Sequence, residues 1–137
     1  DCGKLCENQY RADSFEMPFS QAGEMLGHIP IGDELVRNLW AECETQFVRC
    51  GGDAWPGDKL LHLRHLILSH HGTKEWGSPV EPKTYEAVLL HFVDNIDAKM
   101  EMMRAAREKV AEIAPGIVGK SWPMGTSVVT PKWEVAP

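Results

Sequence analysis

The sequence predicts an all-α protein. Two long segments carry apolar residues at three- and four-residue spacing. Those segments are bounded by helix start and stop signals, namely Ser20 and Thr84 before them and Gly51-Gly52 and Pro115-Gly116 after them. Strand-like sequence is confined to short valine runs near the C-terminus. No internal repeat or low-complexity tract interrupts this pattern.

Residues 1–4 read as the end of a helix, and residues 5–18 as a loop closed by Met17-Pro18. Ser20 is placed to cap a helix that runs to about Arg49 and stops at Gly51-Gly52. Pro30 removes a backbone donor inside it and predicts a kink beside His28. Leu35, Val36, Leu39, Trp40, Cys43 and Phe47 form its apolar stripe. After a loop at Asp53-Ala54-Trp55-Pro56-Gly57, Asp58 caps a helix over 59–71. Residues 72–83 are a connection rich in Gly and Pro. Thr84 then caps a long helix whose stripe is Val88, Leu89, Phe92, Val93, Ile96, Met100 and Met103. Arg104, Arg107 and Lys109 complement the dipole at its end, and Pro115-Gly116 terminates it. The organisation is one domain over residues 1–114 and an irregular arm over 115–137, with a short strand at Ser127-Val128-Val129.

A chain of 137 residues holds one domain at most. The net charge of −6 offers no basic stripe, which argues against autonomous RNA binding. It does not argue against a metal centre that handles anions, because bound divalent ions invert the local charge. No apolar run approaches the roughly 18 residues of a membrane span. The four cysteines (Cys2, Cys6, Cys43, Cys50) lack zinc-like spacing and read as reduced thiols of a cytoplasmic protein.

The chemistry concentrates in His65-Leu66-Ile67-Leu68-Ser69-His70-His71-Gly72 and, further on, in Leu90-His91-Phe92-Val93-Asp94-Asn95-Ile96-Asp97. Histidines and aspartates on apolar helices are costly to bury unless something uses them. Imidazole nitrogens with carboxylate oxygens are what a hydrolytic divalent centre needs. Upstream lie Asp1 and His28, the latter in Gly27-His28-Ile29-Pro30-Ile31-Gly32, whose small residues admit a neighbouring helix. Alone, His70 would be a helix-end cation and Asp94 a carboxylate on a polar stripe. Helical neighbours differ by about 100°, so His70 and His71 are expected to point apart. His71 then holds a second metal, contacts a substrate phosphate or supports the ligands. Asp97, one turn beyond Asp94, competes with it as ligand. His62, His65 and His91 read as structural.

The order Asp…His…His…Asp resembles that of the HD superfamily of metal-dependent phosphohydrolases. Ser69-His70-His71-Gly72, Glu75-Trp76-Gly77-Ser78-Pro79, Pro82, Thr84, Glu86-Ala87, Leu90-His91 and Asp94-Asn95-Ile96-Asp97-Ala98 resemble the HD domain of the YhaM-type 3′→5′ exoribonucleases, and the likeness runs from residue 1 to about residue 104. The resemblance implies an HD-type helical bundle whose N-terminal helices would precede residue 1, since Asp1 matches the Asp of the family's His-Asp pair. It implies a divalent metal, manganese first, with iron, cobalt, nickel or magnesium compatible. The ligands implied are Asp1, His28, His70 and Asp94, with Lys4 and His71 at the substrate phosphate. Lys74 and Trp76 would meet substrate from the neighbouring loop, and Asn95 and Asp97 would support the ligands from behind. The implied reaction is phosphodiester hydrolysis, 3′→5′ on single-stranded RNA in the full-length form, by a protein that does not enter a membrane; a homo-oligomer is compatible with the sequence, which does not fix the oligomeric state. A nucleotidase or cyclic-nucleotide phosphodiesterase of the same superfamily, and an inactive remnant that binds a partner, are the alternatives.

Overall fold

The computed structural model describes residues 1–13, 16–120 and 122–131. The chain is mostly helical, as the spacing predicts, and divides into two compact units, Asp1–His91 and Phe92–Pro137. The helices are α1 (Lys4–Glu7), α2 (Gln21–Leu26), α3 (His28–Arg49), α4 (Gly57–Ser69) and α5 (Tyr85–Lys109). The last of these begins in the first unit and continues into the second.

In the first unit α3 packs against α1, α2 and α4. Ser20 caps α2 by accepting from the Gly23 N–H at 2.9 Å, and Thr84 caps α5 by accepting from the Ala87 N–H at 3.2 Å. The expected single helix from Ser20 to Arg49 is instead two. It breaks at Gly27, whose φ of 72° no helix contains, and restarts at His28. Pro30 therefore falls in the first turn of α3, where its missing N–H costs nothing, and causes no kink of a continuous helix. The stretch after residue 4 is also not all loop, because α1 occupies Lys4–Glu7. Arg64 on α4 donates two bonds to Asp33 on α3, at 2.7 and 2.9 Å, which fixes the register of those helices.

The buried residues of this unit are unusual in kind. Ile29 and Ala87 are accompanied by Glu7, Ser69, His70 and Ser78. Buried polar groups are the informative ones, since each needs a partner. Ser69 donates to the His65 carbonyl at 2.6 Å, and Ser78 donates to those of Val80 and Leu68. By contrast Leu39, Cys43 and Phe47 of the predicted α3 stripe are exposed, as are Val88, Leu89, Phe92, Val93, Ile96, Met100 and Met103 of α5. Helical spacing shows a face fit for burial, and it does not supply the element that covers it.

The second unit joins the rest of α5 to an antiparallel sheet of β1 (Glu112–Ala114), β2 (Ile117–Val118) and β3 (Val128–Val129), in that order. Pro115-Gly116 makes the turn between β1 and β2, whereas α5 has already ended at Lys109. β3 falls on the predicted strand. Ala106, Val118 and Val128 form the core here, with Val110 and Met124 packed against it. The four cysteines are free thiols. Among the described residues no helix is long and apolar enough to cross a membrane.

Candidate metal centre

Three histidines of the first unit converge by different routes. His28 is the first residue of α3, so its backbone N–H lacks a helical acceptor. Gly27 before it has no side chain to cap with. The Glu7 carboxylate, from α1, does so instead: Oε1 accepts from the His28 N–H at 2.9 Å and from ring Nδ1 at 3.1 Å. His70 is the residue on which α4 ends, and its Nδ1–H donates to the Ile67 carbonyl at 2.6 Å. His71 lies beyond the helix, and its Nδ1–H donates to the Trp76 carbonyl at 2.7 Å.

Every one of these acceptors is a carbonyl or carboxylate oxygen. The proton therefore sits on Nδ1 in each ring, and Nε2 of the neutral imidazole carries a lone pair. Those lone pairs meet. His28 Nε2 stands 3.2 Å from His71 Nε2 and 3.3 Å from Asp1 Oδ1, and His70 Nε2 stands 2.9 Å from the same Oδ1. Neighbouring ligands held about 2.1 Å from one ion stand about 3.0 Å apart in an octahedron and about 3.4 Å apart in a tetrahedron. The observed spacings match that range. Lone pairs packed this closely repel one another unless a cation lies among them, so the residues fit a divalent ion with mixed nitrogen and oxygen ligation. Burial pushes the His28 imidazole below its ordinary pKa, against the pull of the Glu7 carboxylate, and so favours the neutral form that a ligand needs.

The surrounding contacts hold this arrangement. Lys4 Nζ lies 2.8 Å from Asp1 Oδ2, so the aspartate turns one oxygen to the imidazoles and the other to the lysine. His91 Nδ1–H donates to the His70 carbonyl at 2.8 Å. Gly72 follows with φ of +84°, and the His91 ring fills the space where a Cβ would stand. Lys74 and Trp76 lie on a 3-10 turn, Lys74–Trp76, and both are exposed. The Trp76 ring stands beside that of His91, 5.8 Å between centroids. His62 meets Thr84 Oγ1 at 3.0 Å, and His65 Nε2 accepts from the Lys83 N–H at 2.9 Å.

The first unit thus brings together Asp1, His28, His70 and His71, with Lys4 at their edge. Asp94, Asn95 and Asp97 belong to the second unit, on α5; Asp94 and Asn95 are half-buried there and Asp97 is exposed. The expected divergence of His70 and His71 does not occur. It presumes a helix through both residues, and α4 stops at Ser69. Glu7 was not foreseen, because it falls in the stretch that reads as a loop. The signal for it was indirect: a histidine that opens a helix directly after glycine needs an acceptor from elsewhere.

The chain is 44% identical over 92 residues to a protein of Oceanobacillus iheyensis named 3'-5' exoribonuclease YhaM, an alignment covering 67% of this chain and 26% of the relative. It is 40% identical over 110 residues to the protein of that name in Shouchella clausii, covering 80% of this chain and 30% of the relative. To that of Bacillus subtilis it is 44% identical over 92 residues, with 67% and 26% covered. The chain thus spans 26–30% of the length of these relatives. No protein-family model matches the chain, and no solved structure matches it significantly.

Proposed function

We propose that this chain is the metal-binding part of an HD-type phosphodiester hydrolase, and that the protein carrying it shortens single-stranded RNA from the 3′ end. One observation carries the reading: three imidazoles, each with Nδ1–H already committed, aim their Nε2 atoms at one another and at Asp1 Oδ1. The names of the relatives support the RNA substrate and the polarity. Asp1, His28 and His70 hold the ion, and the motif Asp94-Asn95-Ile96-Asp97 supports Asp94 as a further ligand, with Asn95 and Asp97 behind it. The spacing of 3.2 Å to His28 Nε2 favours His71 as a ligand over a phosphate contact. Manganese is the metal the family resemblance implies first, and a mixed nitrogen and oxygen donor set suits iron, cobalt or nickel as well. A bound divalent ion supplies Lewis acidity toward phosphoryl oxygens and toward water. Lys4, at the edge of the centre, offsets phosphate charge. Trp76 offers an exposed ring on which a base can stack, worth about 1–3 kcal/mol. With a net charge of −6, substrate grip comes from these few groups and the ion, not from a basic groove.

The test is a calorimetric titration of Mn²⁺ into this chain, alongside a phosphodiester hydrolysis assay. Saturable binding is expected, weakened at least about tenfold by His70→Ala and unaffected by His62→Ala. Slow Mn²⁺-dependent cleavage of a small phosphodiester is expected from this chain, and stepwise 3′ shortening of labelled RNA from the longer protein. Absence of Mn²⁺ binding, or hydrolysis that persists in His70→Ala, would overturn the reading.

A further inference from the structure

We propose that Glu7 is a positioning residue that fixes the tautomer and orientation of His28. The consequence for the ion rests on the metal-centre reading above, whereas the hold on the imidazole does not. Glu7 is 8% exposed, and a buried carboxylate is costly unless its oxygens are used. One oxygen, Oε1, takes both the backbone N–H and the ring Nδ1–H of His28. Capping α3 would require only the first bond. The second adds nothing to the helix and sets the ring.

With Nδ1–H bonded to the carboxylate, Nε2 must be the lone-pair atom, and it faces Asp1 Oδ1 and His71 Nε2. His70 and His71 are held in the same tautomer by backbone carbonyls, which carry no formal charge. Glu7 is thus the anionic anchor among the three. A carboxylate behind an imidazole raises its basicity as a ligand. Glu7 is also built into the surrounding backbone. Its carbonyl accepts from the Ser20 N–H at 2.7 Å, and a Cβ on Gly23 would overlap that carbonyl oxygen. The carboxylate therefore has little freedom to leave His28.

The experiment uses this chain as Glu7→Ala and Glu7→Gln variants. Long-range proton–nitrogen NMR on metal-free protein reads the His28 tautomer, and calorimetry reads Mn²⁺ affinity. In the parent chain His28 should be the Nδ1–H tautomer. Glu7→Gln keeps an acceptor oxygen, so the tautomer should survive while affinity falls by less than about tenfold with the lost charge. Glu7→Ala should mix the tautomers and lower affinity by about 10–100-fold. A purely structural Glu7 would lower the urea midpoint in both variants and leave tautomer and affinity unchanged, and that result would overturn the proposal. If the parent chain binds no Mn²⁺, the metal reading fails, and the tautomer comparison still decides the role of Glu7. If Glu7→Ala does not fold, Glu7→Gln decides it: unchanged affinity in that variant refutes a contribution from the carboxylate charge.

Discussion

The close approach of α1 to α3 carries Asp1 to the histidines, and alanine at Gly3 should break it. Gly3 lies against the backbone of α3. A Cβ there would overlap the His28 carbonyl oxygen and stand 2.8 Å from the Gly32 nitrogen, where ordinary contact begins at about 3.4 Å. Both obstacles are backbone atoms, so no rotamer can yield. α1 must retreat by roughly an ångström, which forfeits a quarter to a half of each dispersion contact across the gap. Overpacking of this kind costs about 1–3 kcal/mol, and a clash with backbone belongs at the upper end. Stiffening of the unfolded chain by alanine returns about 0.4–1 kcal/mol, leaving a net loss of about 2 kcal/mol. The control lies on the other side of the same contact. A Cβ on Gly32 would meet the Gly3 nitrogen at 3.3 Å and Cys2 Sγ at 3.5 Å, which a shift of a few tenths of an ångström accommodates. Gly32→Ala should therefore stay within about 1 kcal/mol of the parent. Urea unfolding followed by the fluorescence of Trp40 and Trp55 measures both variants. Gly3→Ala should also weaken Mn²⁺ binding by tenfold or more, since displacement by about 1 Å spoils a preorganised site. Equal midpoints and equal affinities for the two variants would refute the argument.

Two further substitutions separate the units. Gly72→Ala places a side chain at φ of +84° and against the His91 ring, so it should cost about 1–3 kcal/mol and lower Mn²⁺ affinity by moving the His70–His71 turn; unchanged affinity in a titration would show that the turn does not hold the histidines. Val128→Ala removes a side chain that is 2% exposed from the core of the second unit, and should cost that unit about 2 kcal/mol by hydrogen exchange while the amides around His28 keep their protection.

The helices were legible because their signals are local. Ser20 and Thr84 cap as their side chains suggest, and α5 carries its stripe at the expected spacing. Boundaries failed where a single residue had two roles. Pro30 reads as a kink within a helix and as a favourable residue in a first turn, and only the break at Gly27 decides between them. Pro115-Gly116, read from the sequence as a helix stop, is chemically just as fit for a hairpin turn. The paired strands on either side settle it as the turn. Which stripe finds cover is a tertiary fact that periodicity does not encode, and Leu39 and Phe47 remain exposed despite their spacing.

At the site, residue types were legible and geometry was not. Asp1, His28 and His70 stand out by type and order, and they meet in the first unit. The two surprises share one cause, which is that the centre is built at helix ends. Within a helix, adjacent histidines are about 100° apart and cannot face one point. At the end of α4 the last helical residue is Ser69, His70 caps it and His71 lies beyond. Gly72 makes the turn, and the Trp76 carbonyl then swings His71 toward His28. At the start of α3 the unpaired N–H of His28 invites an acceptor, and Glu7 supplies one that also holds the ring. A helix interior satisfies its own backbone, and a side chain there shares a carbonyl of its own helix, as Ser69 does with that of His65. A helix end leaves donors and acceptors open, and here those open groups orient two of the three imidazoles.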